Sequence, residues 1–378
     1  MQPALTTMRS YLFWAHLIAG VLAGIVILVM SVTGVLLTYE RQIIEWTDQQ
    51  YVRDADGRSP LSADELLNIV RPWHQDEHHF FIRIVNHVGA AVPVWAGNHS
   101  YLLDPYTGEV LREGEGAVAD FFHHVTDIHR WLAMEGSSAD AARAVTAYSN
   151  LLFLFLIVTG IYLWLPSVWR WTILRSRILF MRAPTAPARH FNWHHVLGFW
   201  ALVPLFFIVL SATIFYFPWA NAMLYGAFGE DAPPPQEEHE LEHLIDGDMS
   251  YAYLLERAKN HAHEHGASDW HSIWIELGEA EGQASFYIDR SIGRRPAFAY
   301  DLTLDTDDGS VIEVKRHDDW SPGDQAWDVA RFLHTGEHFG FVGQTIAGLA
   351  SLAACFMVYT GLALAWRRLV RSPGRSEA

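Results

Sequence analysis

Histidines are the side chains in this sequence best placed to do chemistry. There are 21 of them in 378 residues, and four stand out by position. His16 lies about five residues inside an uncharged apolar run, 11–39, and His194 lies at a matching depth in another, 191–217. An ionisable side chain inside such a run marks function by default, because burying it without a partner is costly. The competing reading is an imidazole hydrogen-bonded to a neighbouring helix or reaching for the headgroups. Gly20 and Gly198 follow four residues on, one turn further along the same helix face, where a flat ligand could approach the backbone. His195 competes with His194, but the His-x-x-x-Gly register favours His194. A second pair is His129, in Asp127-Ile128-His129-Arg130-Trp131-Leu132, and His334, in Leu333-His334-Thr335-Gly336. His123, His124 and His338 are substitutes for this pair. Neutral imidazole is a good transition-metal ligand, and helix bundles build cofactor sites from facing interior side chains. His16 with His194, and His129 with His334, are therefore candidate ligand pairs.

The elements that position them follow from charge. Four stretches, 11–39, 145–166, 191–217 and 339–366, contain no Asp, Glu, Lys or Arg. Each is long enough for a hydrocarbon layer that needs about 20 apolar residues. This excludes an ordinary soluble enzyme and a nucleic-acid binder of the basic-patch kind. The net charge is −17, yet the short segments are basic: Arg9 at the start; Arg170, Arg175, Arg177, Arg182 and Arg189 in the middle; Arg367, Arg368, Arg371 and Arg375 against Glu377 at the end. The acids are concentrated in 40–144 and 218–338. Basic short loops stay cytoplasmic, so both termini are expected inside and the two acidic segments outside, in a bacterial inner membrane with the first run retained as an anchor. Cys355 is the single cysteine, so neither an internal disulfide nor a Cys-x-x-Cys-His haem attachment is available.

The chain reads as two copies of one plan: span, outer segment, span. Gly34 follows His16, and Ala212 follows His194, by the same 18 residues. The second and fourth runs end on Thr159-Gly160 and Thr360-Gly361, pairs that permit close helix packing. His129 precedes its Thr-Gly glycine by 31 residues and His334 by 27, so a short insertion separates the copies. Each outer segment begins with a helical pattern, 62–70 or 250–260, and then alternates apolar and polar residues as strands do. The strand pairs close on Asp104-Pro105-Tyr106-Thr107-Gly108 and Asp305-Thr306-Asp307-Asp308-Gly309, a hairpin signal.

An outer α/β segment ending in Asp-Pro-Tyr-Thr-Gly-Glu-Val resembles a PepSY domain. The ordered set of His-x-x-x-Gly starts, Thr-Gly ends, Asp-Ile-His-Arg-Trp-Leu and Leu-His-Thr-Gly resembles the PepSY-associated transmembrane family over residues 8–368. That family includes siderophore-iron reductases of the FoxB type, which carry haem. The resemblance implies an α-helical membrane protein: a four-helix transmembrane bundle with two periplasmic PepSY-like α+β domains and an internal two-fold repeat. Its parts would be spans at 9–40, 145–167, 191–218 and 331–367, PepSY-like domains at 41–120 and 219–330, an interfacial helical segment at 121–144, a basic cytoplasmic loop at 168–190 and a tail at 368–378. It further implies two b-type haems with His16/His194 and His129/His334 as axial ligands, and reduction of a ferric siderophore, hydroxamate types included, at the outer face. Arg130, Trp131, Arg331 and His338 are substrate-side candidates by position.

No Walker loop, dinucleotide fingerprint or Gly-x-Ser-x-Gly elbow occurs, so electrons would come from quinol or a separate cytoplasmic reductase. Trp14, Trp131, Trp164, Trp193, Trp219 and Trp366 suit the membrane faces, where indoles sit. The stretch 237–265 holds His239, His243, His261, His263 and His265 among acids, either as a solvated helix end or as a weak metal site. Two other classes compete: a membrane-anchored PepSY binding protein, and an iron or siderophore permease. Against the permease, the spans carry no acidic residue and are expected to be unbroken.

Overall fold

The computed structural model describes residues 2–75, 77, 79–234, 249–277, 282–292 and 295–370. Among these the chain runs α1 (Gln2–Leu36), α2 (Glu40–Asp48), α3 (Ala63–Val70), β1 (Phe80–Val85), β2 (Val92–Ala96), β3 (His99–Leu103), β4 (Val110–Glu113), α4 (Ala117–Trp131), α5 (Ser137–Trp164), α6 (Trp171–Ile178), α7 (Ala186–Trp200), α8 (Leu202–Tyr216), α9 (Pro218–Gly226), α10 (Tyr251–Glu264), β5 (Ser272–Leu277), β6 (Gln283–Asp289), β7 (Ala299–Asp305), β8 (Val311–Arg316), α11 (Pro322–Thr335) and α12 (Gly340–Val370). Two compact units result, one from 1–38, 122–230 and 329–378, the other from 39–121 and 231–328. His239 and His243 lie outside the described residues, as do Arg371 and Arg375.

The first unit is helical. α1 from Thr7 onward, α5 and α12 belong to helical stretches long and apolar enough to cross a membrane. Leu22 is 72% and Ile25 71% exposed on α1, as suits a flank meeting hydrocarbon rather than water. α1 packs on α5 and α12, α12 also on α7 and α8, and α5 on α8. Small residues set the approach, as between membrane helices generally: Ala347, Ala350 and Ala354 are buried on α12, and a Cβ at Gly24 would lie 3.3 Å from Leu362 Cδ2. Asn150 of α5 donates through Nδ2 to Val209 O (2.9 Å) and Thr213 Oγ1 (3.0 Å) of α8, satisfying a buried amide between two helices.

The third apolar run departs from expectation. One continuous span over 191–218 was expected, but α7 and α8 meet at Ala201 with a bend of 69°. Pro204 is the third residue of α8. It lacks an N–H, and its ring crowds the carbonyl four residues back, which belongs to Trp200, the last residue of α7. The bent pair makes a fourth span only if its two halves count as one. The expectation that no span is broken is thus corrected. The helix that holds the second apolar run, α5, begins at Ser137 and so also takes in part of the segment assigned to the interface.

The second unit is a sheet with helices. Expected as two separate α+β domains, the two outer segments instead share one eight-stranded antiparallel sheet, ordered β4-β3-β2-β1-β5-β6-β7-β8. The join is β1 on β5, with Phe80 opposite Leu277, Ile82 opposite Ile275 and Val85 opposite Ser272. A single apolar core follows. Phe80, Ile82, Val94, Ile273, Ile275 and Phe286 from the strands meet Leu66, Leu67 and Val70 of α3 and Leu254, Leu255 and Ala258 of α10. Alternation in Phe80-Phe81-Ile82-Arg83 puts Phe80 and Ile82 into that core and turns Arg83 to the opposite face. There Arg83 and His271 pair with Glu45 of α2 (3.0 and 2.8 Å), and Arg112 pairs with Asp48 (2.7 Å), clamping α2 to the sheet. Asp104 and Asp305 accept backbone N–H bonds inside their turns. Gly108 and Gly309 supply the left-handed residue each turn needs, at φ +72° and +71°.

Candidate cofactor site

The four imidazoles singled out by sequence all lie in the helical unit, and each is held by a hydroxyl from another helix. His16 of α1 meets Thr159 Oγ1 of α5 at 2.9 Å through Nδ1. His194 of α7 meets Thr360 Oγ1 of α12 at 3.1 Å, and Met357 O at 3.1 Å. His129 of α4 meets Thr33 Oγ1 of α1 at 2.8 Å. His334 of α11 meets Ser211 Oγ of α8 at 3.1 Å and Ile208 O at 2.9 Å. In every case the contacting nitrogen is Nδ1.

The hydroxyl hydrogens are already committed. Thr159, Thr33 and Thr360 each donate to the carbonyl four residues back at 2.8 Å, those of Phe155, Val29 and Phe356, and Ser211 donates to Ile208 O at 2.8 Å. A hydroxyl that donates to a carbonyl offers lone pairs to its other neighbour. Hence each Nδ1–H donates and each Nε2 keeps its lone pair, an assignment made from the bonding network. The carbonyls of Met357 and Ile208 can only accept, which reinforces it for His194 and His334. Donation from the far nitrogen is how metal-binding imidazoles are oriented and made more basic.

The two pairs are spatial as well as sequential. The His129 and His334 rings stand 6.3 Å apart, centre to centre, at 72°. His16 and His194 lie near enough for one to act on the other electrostatically. Each hydroxyl is followed by a residue with little or no side chain: Thr33-Gly34, Thr159-Gly160, Ser211-Ala212 and Thr360-Gly361. A Cβ at Gly361 would lie 3.3 Å from His194 Cε1, at Gly160 3.6 Å from His16 Cε1, and at Gly34 3.8 Å from His129 Cε1. The Thr-Gly pairs are therefore more than packing devices: the threonine orients an imidazole and the glycine leaves space for it. These hydroxyls are what the sequence reading missed. A usable signal was present, since Thr33 and Ser211 each stand 17 residues after His16 and His194.

The substitutes are placed differently. His195 bonds its own helix through Phe191 O (2.9 Å) and its ring lies 4.0 Å from that of Phe191. His123 and His124 are exposed on α4. His338 sits past the end of α11, its ring 4.8 Å from that of Phe339. Gly20 and Gly198 abut Leu156 and Met357, at 3.8 and 3.4 Å from an added Cβ. Arg130 and Trp131 follow His129 directly, with the guanidinium 4.4 Å from the indole centre, and Arg331 precedes His334 by one helical turn. Partial burial and the guanidiniums of Arg143 and Arg331 hold the pKa of Arg130 below its ordinary value, against the opposing pull of Asp127.

A helical membrane unit carrying paired imidazoles, together with an antiparallel sheet unit, defines the class. The family described as the PepSY-associated TM region matches residues 13–368, and the chain belongs to that family. No curated protein matches it.

Proposed function

We propose that the protein is a di-haem inner-membrane reductase that delivers electrons to ferric siderophore iron at the periplasmic face. The observation that carries this reading is the 6.3 Å spacing of the His129 and His334 rings with both Nε2 lone pairs uncommitted. Two imidazoles ligating one first-row metal through Nε2, with bonds of about 2 Å, have ring centres roughly 6 Å apart. His129 and His334 fit one haem on this count. His16 and His194, oriented by the same chemistry, would hold the other. Haem held by these histidine pairs would supply one-electron exchange, and with two protein imidazoles on each iron it would favour electron transfer over oxygen binding.

The residues of this chain have defined tasks. The four histidines bind, and Thr33, Thr159, Ser211 and Thr360 fix which nitrogen faces the iron. The apolar helices exclude water from the imidazoles. Four spans with both termini cytoplasmic, an internal two-fold repeat and a periplasmic sheet unit complete the arrangement, supported by the basic short segments and by the mirrored strand order about β1 and β5. Ferric iron in a hard-oxygen chelate is the substrate, released because Fe(II) is held less tightly. The donor is quinol or a cytoplasmic reductase.

The test is a pyridine haemochromogen count on purified protein. Two haems per chain are expected, falling to one in His129→Ala or His334→Ala with the remaining low-spin spectrum intact. A protein without haem, or a count unaffected by these changes, rejects the proposal.

A further inference from the structure

Beside the His129/His334 pair the helical unit gathers three guanidiniums with little to balance them. Arg130 is the residue after His129, Arg331 is one helical turn before His334, and Arg143 lies on the first turns of α5. Arg143 and Arg331 lie near enough to Arg130 for their charges to act on it, as does the carboxylate of Asp127. Thr146 Oγ1 of α5 donates to Arg130 O at 3.1 Å, which ties the end of α4 to the start of α5. The guanidinium of Arg143 stands 5.5 Å from the Tyr216 ring centre and that of Arg130 4.4 Å from Trp131, so both are ordered against aromatic faces. Among the described residues none of the three forms an ion pair with a carboxylate. Arg83 and Arg112 differ in this respect, being paired with Glu45 and Asp48.

Three like charges held together, with the single carboxylate of Asp127 against them, leave an excess of positive charge that suits an anion. Planar, bidentate guanidiniums match carboxylates best. We propose that Arg130, Arg143 and Arg331 form a carboxylate-binding cluster whose ligands are the propionates of the haem held by His129 and His334. This rests on the haem reading above. The porphyrin edge carries two carboxylates, and the cluster flanks both axial imidazoles through Arg130 and Arg331. Binding there neutralises the repulsion among the guanidiniums and fixes the rotation of the macrocycle about its axial bonds, which two imidazoles alone leave open. A carboxylate on an arriving iron chelate has the same chemistry, and the experiment separates the two sources.

Arg130→Gln, Arg143→Gln and Arg331→Gln are made singly in the full chain, with Arg331→Lys as the charge-keeping control. Haem per chain and the one-electron midpoint of each haem are measured, the second haem being assigned by its loss in His129→Ala. Axial ligation should keep the haem count at the wild-type value. Removing a positive charge beside the propionates favours ferric iron, so the midpoint of the His129/His334 haem should fall. A tenfold change in the reduced-to-oxidised ratio, about 59 mV for one electron, is expected. The other haem should not move, and Arg331→Lys should restore most of the shift. Two haems with unchanged midpoints in all three glutamine variants overturn the inference while leaving the haem reading intact. Unchanged midpoints with weakened saturation by ferric citrate assign the cluster to the chelate and overturn it equally. Wild-type protein lacking haem defeats the underlying reading itself.

Discussion

Thr159→Val and Thr360→Val remove equivalent hydroxyls, yet their consequences should differ. Valine keeps the shape of threonine and replaces the hydroxyl by a methyl group. In Thr159→Val, the Nδ1–H of His16 loses its one hydrogen-bond acceptor among the described residues. In Thr360→Val, His194 keeps Met357 O at 3.1 Å. A buried donor left without a partner costs about 1–3 kcal/mol. Loss of such an orienting bond typically weakens metal binding by about 10–100-fold. With haem at the His16/His194 pair, as proposed, Thr159→Val should lose it about tenfold faster or more, whereas Thr360→Val should change the rate by a few-fold at most. The assay is transfer of haem to an excess of a haem-scavenging apoprotein, followed in the Soret band, with His129→Ala as background so that one haem is observed. Equal rates in the two variants would refute the argument that Nδ1 donation orients the imidazole. Faster loss in Thr360→Val would refute the accounting of acceptors.

Three further outcomes follow from the same geometry. Gly361→Ala puts a Cβ 3.3 Å from His194 Cε1, but Gly160→Ala leaves 3.6 Å to His16, so Gly361→Ala should reduce haem at that pair more than Gly160→Ala, read by haem content after purification. Arg83→Leu removes the guanidinium that pairs with buried Glu45 and should destabilise the sheet unit by about 3 kcal/mol, seen as faster hydrogen exchange in β1 and β5. Burial, then neighbouring His265 and Arg316, hold the His261 pKa below its ordinary 6.5. The unfolded chain therefore binds the proton more readily, and the stability due to neutral His261 is present above pH 6.5 and lost as pH falls below it. Thermal midpoints measured between pH 7.5 and 5 should decline less in His261→Gln, and parallel curves would exclude that contribution.

The charge-free runs made the spans legible, because a membrane helix tolerates few ionised side chains anywhere along it. Hairpins were legible for a local reason too: alternation in Ile273-Trp274-Ile275-Glu276-Leu277 and the Asp305 turn lie within a few residues of each other. The fusion of the two outer segments was not. Pairing Ile82 with Ile275 leaves no trace in either strand, since an edge strand and a central strand of the same sheet can share one alternating pattern. The break at Ala201 was legible in principle from Pro204, yet an uncharged run gives hydropathy no reason to divide there. Histidines of the candidate site were visible because an ionisable group is conspicuous in an apolar run. Threonine is not conspicuous. Its hydroxyl normally satisfies itself on the carbonyl four residues back, as Thr33 does, so a second task on a neighbouring helix cannot be inferred from its type.

The register of β1 against β5 has a consequence for how this chain is made. Phe80–Val85 emerges from synthesis long before Ser272–Leu277, with α5, α7 and α8 still to be inserted between them. Until then β1 is a bare border of the sheet, with Phe80 and Ile82 lacking their final neighbours, which is the kind of surface that recruits foreign strands. Long-separation pairing is also slow to close. A nascent chain halted after α5 should therefore be sticky and protease-sensitive, and the cell must either complete the second half quickly or chaperone the first while it waits.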